Sequence, residues 1–147
     1  MTTSNPIIRI VDDEAVVRKA LKFLLESEGW TVEAYEKGSE FLIEDRPSLI
    51  GCLILDVAMP EMNGLELYRR LRERNYEVPV IFLTGHGDVD MAVQAMKDGA
   101  IDFIQKPINE ERLLSAVAKV RCILIEQMGV GKKYQKHRMN WGVLDIQ

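Results

Sequence analysis

Three carboxylates stand in a row at Asp12, Asp13 and Glu14, directly after the apolar run Ile7–Val11. Like charges crowded at the end of a buried strand raise the free energy unless a cation lies among them. Polar residues close other apolar runs: Asp56 after Cys52–Leu55, Thr84 after Val80–Leu83, and Lys106 two places after Ile101–Ile104. If Asp12, Asp13, Asp56 and Lys106 converge, a divalent cation would bring them to neutrality. Carboxylates without His or Cys beside them select magnesium, or manganese, over zinc. Magnesium commonly binds through one or two carboxylates plus a phosphate. A hydroxyl and an ammonium facing such a metal, here Thr84 and Lys106, are what the oxygens of a transferring phosphoryl group need. Asp56 fits the nucleophile, because carboxylates form aspartyl phosphates. Gly85 leaves room for the phosphoryl group to approach. Glu14 reads as a charge favourable to a helix N-terminus rather than as a ligand.

These residues lie far apart in the chain, so the fold must collect them. Five short apolar runs recur: Ile7–Val11, Trp30–Tyr35, Cys52–Leu55, Val80–Leu83 and Ile101–Ile104. Several are nearly continuous rather than alternating, as strands are when helices cover both faces of a parallel sheet. Pro79 precedes the fourth run, where a missing N–H does least harm. Between the runs the period becomes helical. Val17, Ala20, Leu21, Leu24 and Leu25 form one stripe, and Leu67 and Leu71 another. Asp88 is placed to cap a helix that turns Ala92, Ala95 and Met96 inward and stops at Gly99. Leu113, Val117, Val120 and Leu124 line a last helix ending near Met128. Alternating strands and helices imply right-handed crossovers and a doubly wound α/β fold with helices on both faces. In such folds ligands bind outside the carboxyl ends of the strands, where Asp12, Asp13, Asp56, Thr84 and Lys106 all stand.

The 147 residues suit one ordinary domain; 47% are hydrophobic and 29% charged, as in soluble globular proteins. The net charge of −4 demands no nucleic-acid partner. Cys52 and Cys122 lack metal-type spacing and are expected to be buried, reduced thiols. No run approaches the roughly 20 apolar residues that span a bilayer, so no membrane association is expected and the location should be cytoplasmic.

The set Asp12–Asp13, Asp56 followed by "VAMPEMNG", Thr84 followed by "GHGD", and Lys106–Pro107 resembles the receiver domain of two-component response regulators. The stretch "TGHGDVDMAVQAMKDGAIDFIQKPI" is similar to receivers of the nitrogen-fixation type. The resemblance covers about residues 6–125. It implies a flavodoxin-like five-stranded parallel sheet in the order 2-1-3-4-5. It also implies phosphorelay signalling: Asp56 takes a phosphoryl group from a sensor histidine kinase in a magnesium-dependent reaction. Asp13 would bind the metal directly, Asp12 would support it through water, and the backbone carbonyl of Ala58 would be a further ligand. Thr84 and Lys106 would hold phosphoryl oxygens. Phe103 matches an aromatic switch position that moves inward when Thr84 shifts, and here it lacks the hydroxyl of the commoner tyrosine. Lys106–Pro107 matches a bond that is usually cis. His86 occupies a position that affects phosphate lifetime. Such a chain is a phosphoacceptor that controls an output, often transcriptional, rather than an enzyme with a separate substrate. A phosphorylation-dependent homodimer is a further expectation.

Residues 126–147 read as a linker or tail. Lys132, Lys133, Lys136 and Arg138 against Asp145 give residues 129–147 a charge of +3 and leave −7 elsewhere. Direct DNA binding by this stretch is not expected, and both a single-domain receiver and a transcription factor cut short fit it. A phosphatase of the haloacid type would want a second aspartate where Ala58 stands. A nucleotide-binding module would want a glycine-rich phosphate loop, which the sequence lacks.

Overall fold

The computed structural model describes residues 6–44, 51–85 and 89–127. Strands and helices alternate: β1 (Ile7–Val11), α1 (Ala15–Ser27), β2 (Thr31–Tyr35), α2 (Gly38–Glu44), β3 (Gly51–Asp56), α3 (Gly64–Glu73), β4 (Val80–Thr84), α4 (Val89–Lys97), β5 (Asp102–Gln105) and α5 (Glu110–Gln127). The five strands form one parallel sheet in the order β2-β1-β3-β4-β5. This is the expected doubly wound, flavodoxin-like topology. The chain crosses from one side of β1 to the other between β2 and β3, and that reversal opens the crevice above β1 and β3.

Two apolar layers explain why the central runs are continuous. On one face Ile8, Ile10, Ile54, Ile81 and Leu83 pack with Leu21 and Leu25 of α1 and Leu113, Val117 and Val120 of α5. On the other, Val11, Leu53, Leu55 and Phe82 pack with Phe41 of α2, Leu67 and Leu71 of α3 and Ala95 of α4. Successive strand residues point to opposite faces, so a strand covered on both sides has no solvent-facing position to fill with a polar residue. Arg9 in the middle of β1 is nonetheless fully buried. Its guanidinium meets the Tyr76 hydroxyl and the carbonyl of Ile7. At the edge, β5 alternates: Asp102 and Ile104 are buried, Phe103 and Gln105 exposed.

Several expectations change in detail. β2 begins after Trp30 and β5 after Ile101, while β3 starts at Gly51 and runs through Asp56. The inward stripes are narrower than the period suggests: Ala20 is exposed, and Met96 is 40% exposed on the outer side of α4. Cys52 is buried, but Cys122 is exposed on α5, because its neighbours Val120 and Leu124 take the inward positions. Helix α2 shows no long stripe because it has only seven residues and anchors itself chiefly through Phe41. The capping role of Asp88, the place of His86 and residues 128–147 lie outside the described residues. Gly99 does follow α4, with φ +107°, a left-handed value that glycine adopts without strain.

A carboxylate and lysine site at the strand ends

Asp12, Asp13, Asp56, Thr84 and Lys106 stand at the carboxyl ends of four different strands. Asp12 and Asp13 follow β1, Asp56 closes β3, Thr84 closes β4, and Lys106 follows β5. Asp12, Asp56 and Thr84 are almost wholly buried. One carboxylate oxygen from each of Asp12, Asp13 and Asp56 lies within 4.8 Å of the others. Lys106 Nζ bridges the acids, 3.0 Å from Asp12 Oδ2 and 3.3 Å from Asp56 Oδ2. Thr84 and Lys106 are tied together, since the Lys106 N–H donates to the Thr84 carbonyl at 2.7 Å. The Lys106–Pro107 peptide bond is cis.

Backbone bonds hold the acids in place. The Asp12 N–H donates to the Tyr35 carbonyl at 3.1 Å, and Asp12 Oδ1 accepts from the Glu14 N–H at 2.8 Å. That second bond satisfies an N–H at the start of α1, whose N-cap residue Glu14 makes no side-chain cap of its own. Asp56 Oδ1 accepts from the Ala58 N–H at 3.2 Å. The Val57 N–H donates to Leu83, and the Val57 carbonyl accepts from Gly64, so the turn after Asp56 is fixed at both ends. A Cβ on Gly64 would lie 2.3 Å from the Asp56 carbonyl oxygen, so only glycine admits this approach of α3 to the site.

The electrostatics follow from that crowding. Burial raises the Asp56 carboxyl well above its ordinary value, the charge of Asp12 raises it further, and Lys106 opposes both. Burial likewise raises Asp12, offset in part by the Glu14 N–H and by Lys106. Burial alone would disfavour the charge on Lys106. Its contacts with Glu14, Asp12 and Asp56 nevertheless hold it above the usual lysine range. The site therefore concentrates more negative charge than its lysine neutralises. Asp12 Oδ2 is buried without a well-aligned hydrogen-bond donor, although Lys106 lies near. An all-oxygen donor set with surplus negative charge fits a hard divalent cation.

Glu14 plays a larger part than that of a helix-end charge. Its Oε1 is 2.6 Å from Lys106 Nζ, the shortest of the three carboxylate contacts the lysine makes among the described residues. The sequence placed Glu14 beside the acids but offered nothing to bring Lys106 to it, 92 residues away. Phe103 stands at the sheet edge, 37% exposed, in register with the buried Phe82. Beneath it is a cluster the sequence did not reveal. Asp102 accepts two bonds from Arg112 (2.7 and 2.8 Å) and one from Lys119 (3.1 Å), while Arg112 also donates to the Phe103 carbonyl at 2.9 Å. The spacing of Arg112 and Lys119, two turns apart on one helix, was legible as a shared face; that Asp102 faces it was not.

A doubly wound sheet with a carboxylate triad, two of its members buried and Asp13 half-buried, and with a threonine and a lysine at the neighbouring strand ends defines the class of flavodoxin-like signalling domains. The chain belongs to the response regulator receiver domain family, whose model matches residues 8–118. It is 48% identical over 141 residues to the response regulator protein TodT of Pseudomonas putida, covering 96% of this chain and 62% of that protein. It is 42% identical over 118 residues to the transcriptional regulatory protein FixJ of Bradyrhizobium diazoefficiens, covering 80% of this chain and 57% of FixJ. The chain thus spans less than two thirds of the length of these relatives. Among solved structures it is similar to the response regulator StyR, with a TM-score of 0.80 and 39% identity over 90% of this chain and 67% of that one. It is also similar to FixJ-N, with a TM-score of 0.73 and 41% identity over 80% of this chain and 94% of that one. No helix among the described residues is long and apolar enough to cross a membrane.

Proposed function

We propose that Asp56 accepts a phosphoryl group from the phosphohistidine of a sensor histidine kinase, and that the residues around it serve that transfer and the later hydrolysis of the aspartyl phosphate to aspartate and inorganic phosphate. The observation that carries this reading is the convergence of Asp12, Asp13 and Asp56 on one point, with Lys106 bridging two of them. Asp13, Asp56 and the Ala58 carbonyl would hold magnesium (manganese serves the same oxygen set), with Asp12 acting through water. The cation would screen the charge of the incoming phosphoryl oxygens. Asp56, fixed by the Ala58 N–H, offers its second oxygen for attack. Lys106 and Thr84 then neutralise and hydrogen-bond the phosphoryl oxygens. Gly85, beside Thr84, adds no bulk to the approach.

A groove of about 950 Å³ opens beside Lys106, lined by Val16, Val17, Ala20 and Leu24 of α1 and by Pro107 and Ile108. Its apolar walls next to the acceptor suit the surface on which a donor protein presents its phosphohistidine. On the other flank Val93 and Met96 of α4 and Phe103 of β5 are exposed together. Closure of Thr84 on a phosphoryl group would leave space for Phe103 to turn inward. That change at the α4, β5 and α5 face is the switch, and a homodimer through it is the first output. We assign residues 6–127 to the receiver, two residues past the expected boundary at 125 because α5 continues to Gln127, and the stretch after it to a linker or tail, with transcriptional control as the downstream role and a cytoplasmic location. Incubation with acetyl phosphate and magnesium should add one phosphate to the intact protein by mass spectrometry, and Asp56→Asn should add none. Full phosphorylation of Asp56→Asn would overturn the assignment.

A further inference from the structure

Arg18 lies on α1, one turn beyond Glu14, and is half-buried. Its Nη1 donates to the backbone carbonyl of Asp12 at 2.7 Å. That carbonyl belongs to the planar peptide unit joining Asp12 to Asp13. Asp12 is already held by the Tyr35 carbonyl on its N–H and by the Glu14 N–H on its side chain. The second of these closes an Asx turn across the Asp12–Asp13 peptide, restraining from the side-chain side the plane that fixes where Asp13 stands and where its carboxylate can point. The guanidinium of Arg18 adds a second restraint, on the carbonyl of that same plane, and a charge-assisted bond at a half-buried position is stronger than an exposed neutral one.

Resting on the magnesium reading above, we propose that Arg18 is a positioning residue for the cation site, orienting Asp13 through the carbonyl of Asp12. The sign of its effect is diagnostic. A guanidinium near a divalent cation repels it, so if Arg18 acted only as a charge, its loss would tighten magnesium binding. If Arg18 orients Asp13, its loss weakens binding despite the relief of repulsion. Residues that orient metal ligands from outside the coordination sphere are worth roughly 10–100-fold in affinity when altered. The opposing charge effect places the expected loss near the lower end.

The test is calorimetric titration of magnesium into the unaltered protein, Arg18→Met, Arg18→Lys and Lys19→Met, with thermal unfolding recorded without metal. Lys19 is exposed on the same helix, so Lys19→Met removes a charge without touching the Asp12 carbonyl. Arg18→Met is expected to bind magnesium about tenfold more weakly, Arg18→Lys to recover part of the loss, and Lys19→Met to bind as tightly as the parent or tighter. Equal or tighter binding by Arg18→Met overturns the proposal while leaving the magnesium site in place. Should Arg18→Met not fold, Arg18→Lys decides, because it keeps the charge and loses the fork geometry: binding equal to the parent overturns the proposal. Absence of magnesium binding by the unaltered protein would overturn the site reading and this inference together.

Discussion

Replacing Asp102 by asparagine should loosen α5 from the sheet edge by an amount the structure lets one calculate. The Asp102 side chain is 9% exposed and accepts from both Arg112 and Lys119. The Arg112 bonds in the first place hold its carboxyl at about 2, against an ordinary 3.8. A shift of nearly two units corresponds to about 2.5 kcal/mol. Arg112 and Lys119 are 42% and 59% exposed, so water screens the pairs and a net contribution of about 1–2 kcal/mol is expected. Asparagine keeps the volume and can still accept one bond from Arg112, which avoids a cavity. Because the folded-state value lies below the unfolded one, the stabilisation is complete above about pH 4 and disappears as pH falls toward about 2. Urea unfolding of parent and Asp102→Asn at about pH 7 should therefore differ by about 1–2 kcal/mol. The difference should shrink as the buffer is taken down toward about pH 3. A difference that stays constant across that range, or none at neutral pH, would refute the electrostatic account of how α5 is held.

Titration should show Asp13→Ala binding magnesium much more weakly than the parent, with Glu14→Ala close to it. Glu14 engages Lys106 rather than the triad, so equal losses would mean the metal ligands are wrongly drawn. Sedimentation with beryllium fluoride, a phosphoryl mimic, should convert monomer to dimer through the exposed Val93, Met96 and Phe103, and an unchanged monomer at high micromolar concentration would reject dimerisation as the output. Gly64→Ala should destabilise the fold by more than about 2 kcal/mol, since its Cβ meets the Asp56 carbonyl at 2.3 Å, and denaturant unfolding measures this directly.

Much of the site was legible in the sequence because the fold's logic is one-dimensional up to a point. Continuous apolar runs mark strands covered on both faces, and in an alternating parallel sheet the residues that close or just follow the strands' carboxyl ends gather around one crevice. Asp12, Asp13, Asp56, Thr84 and Lys106 could thus be assembled from their places at the end of each run. Helix-facing positions such as Leu67, Leu71, Leu113 and Val117 followed from the 3.6-residue period for the same reason. Period does not say how wide the buried stripe is, because that depends on how closely each helix sits on the sheet. Met96 and Ala20 therefore lie outside the core. Nor does it say which charges meet. The capture of Lys106 by Glu14, of Asp102 by Arg112 and Lys119, and of the Asp12 carbonyl by Arg18 depends on side-chain reach and on the angle of each helix to the sheet. Hydrophobic patterning along the chain determines the topology, whereas these polar contacts form only after packing has brought the helices to within a few ångströms of the strand ends.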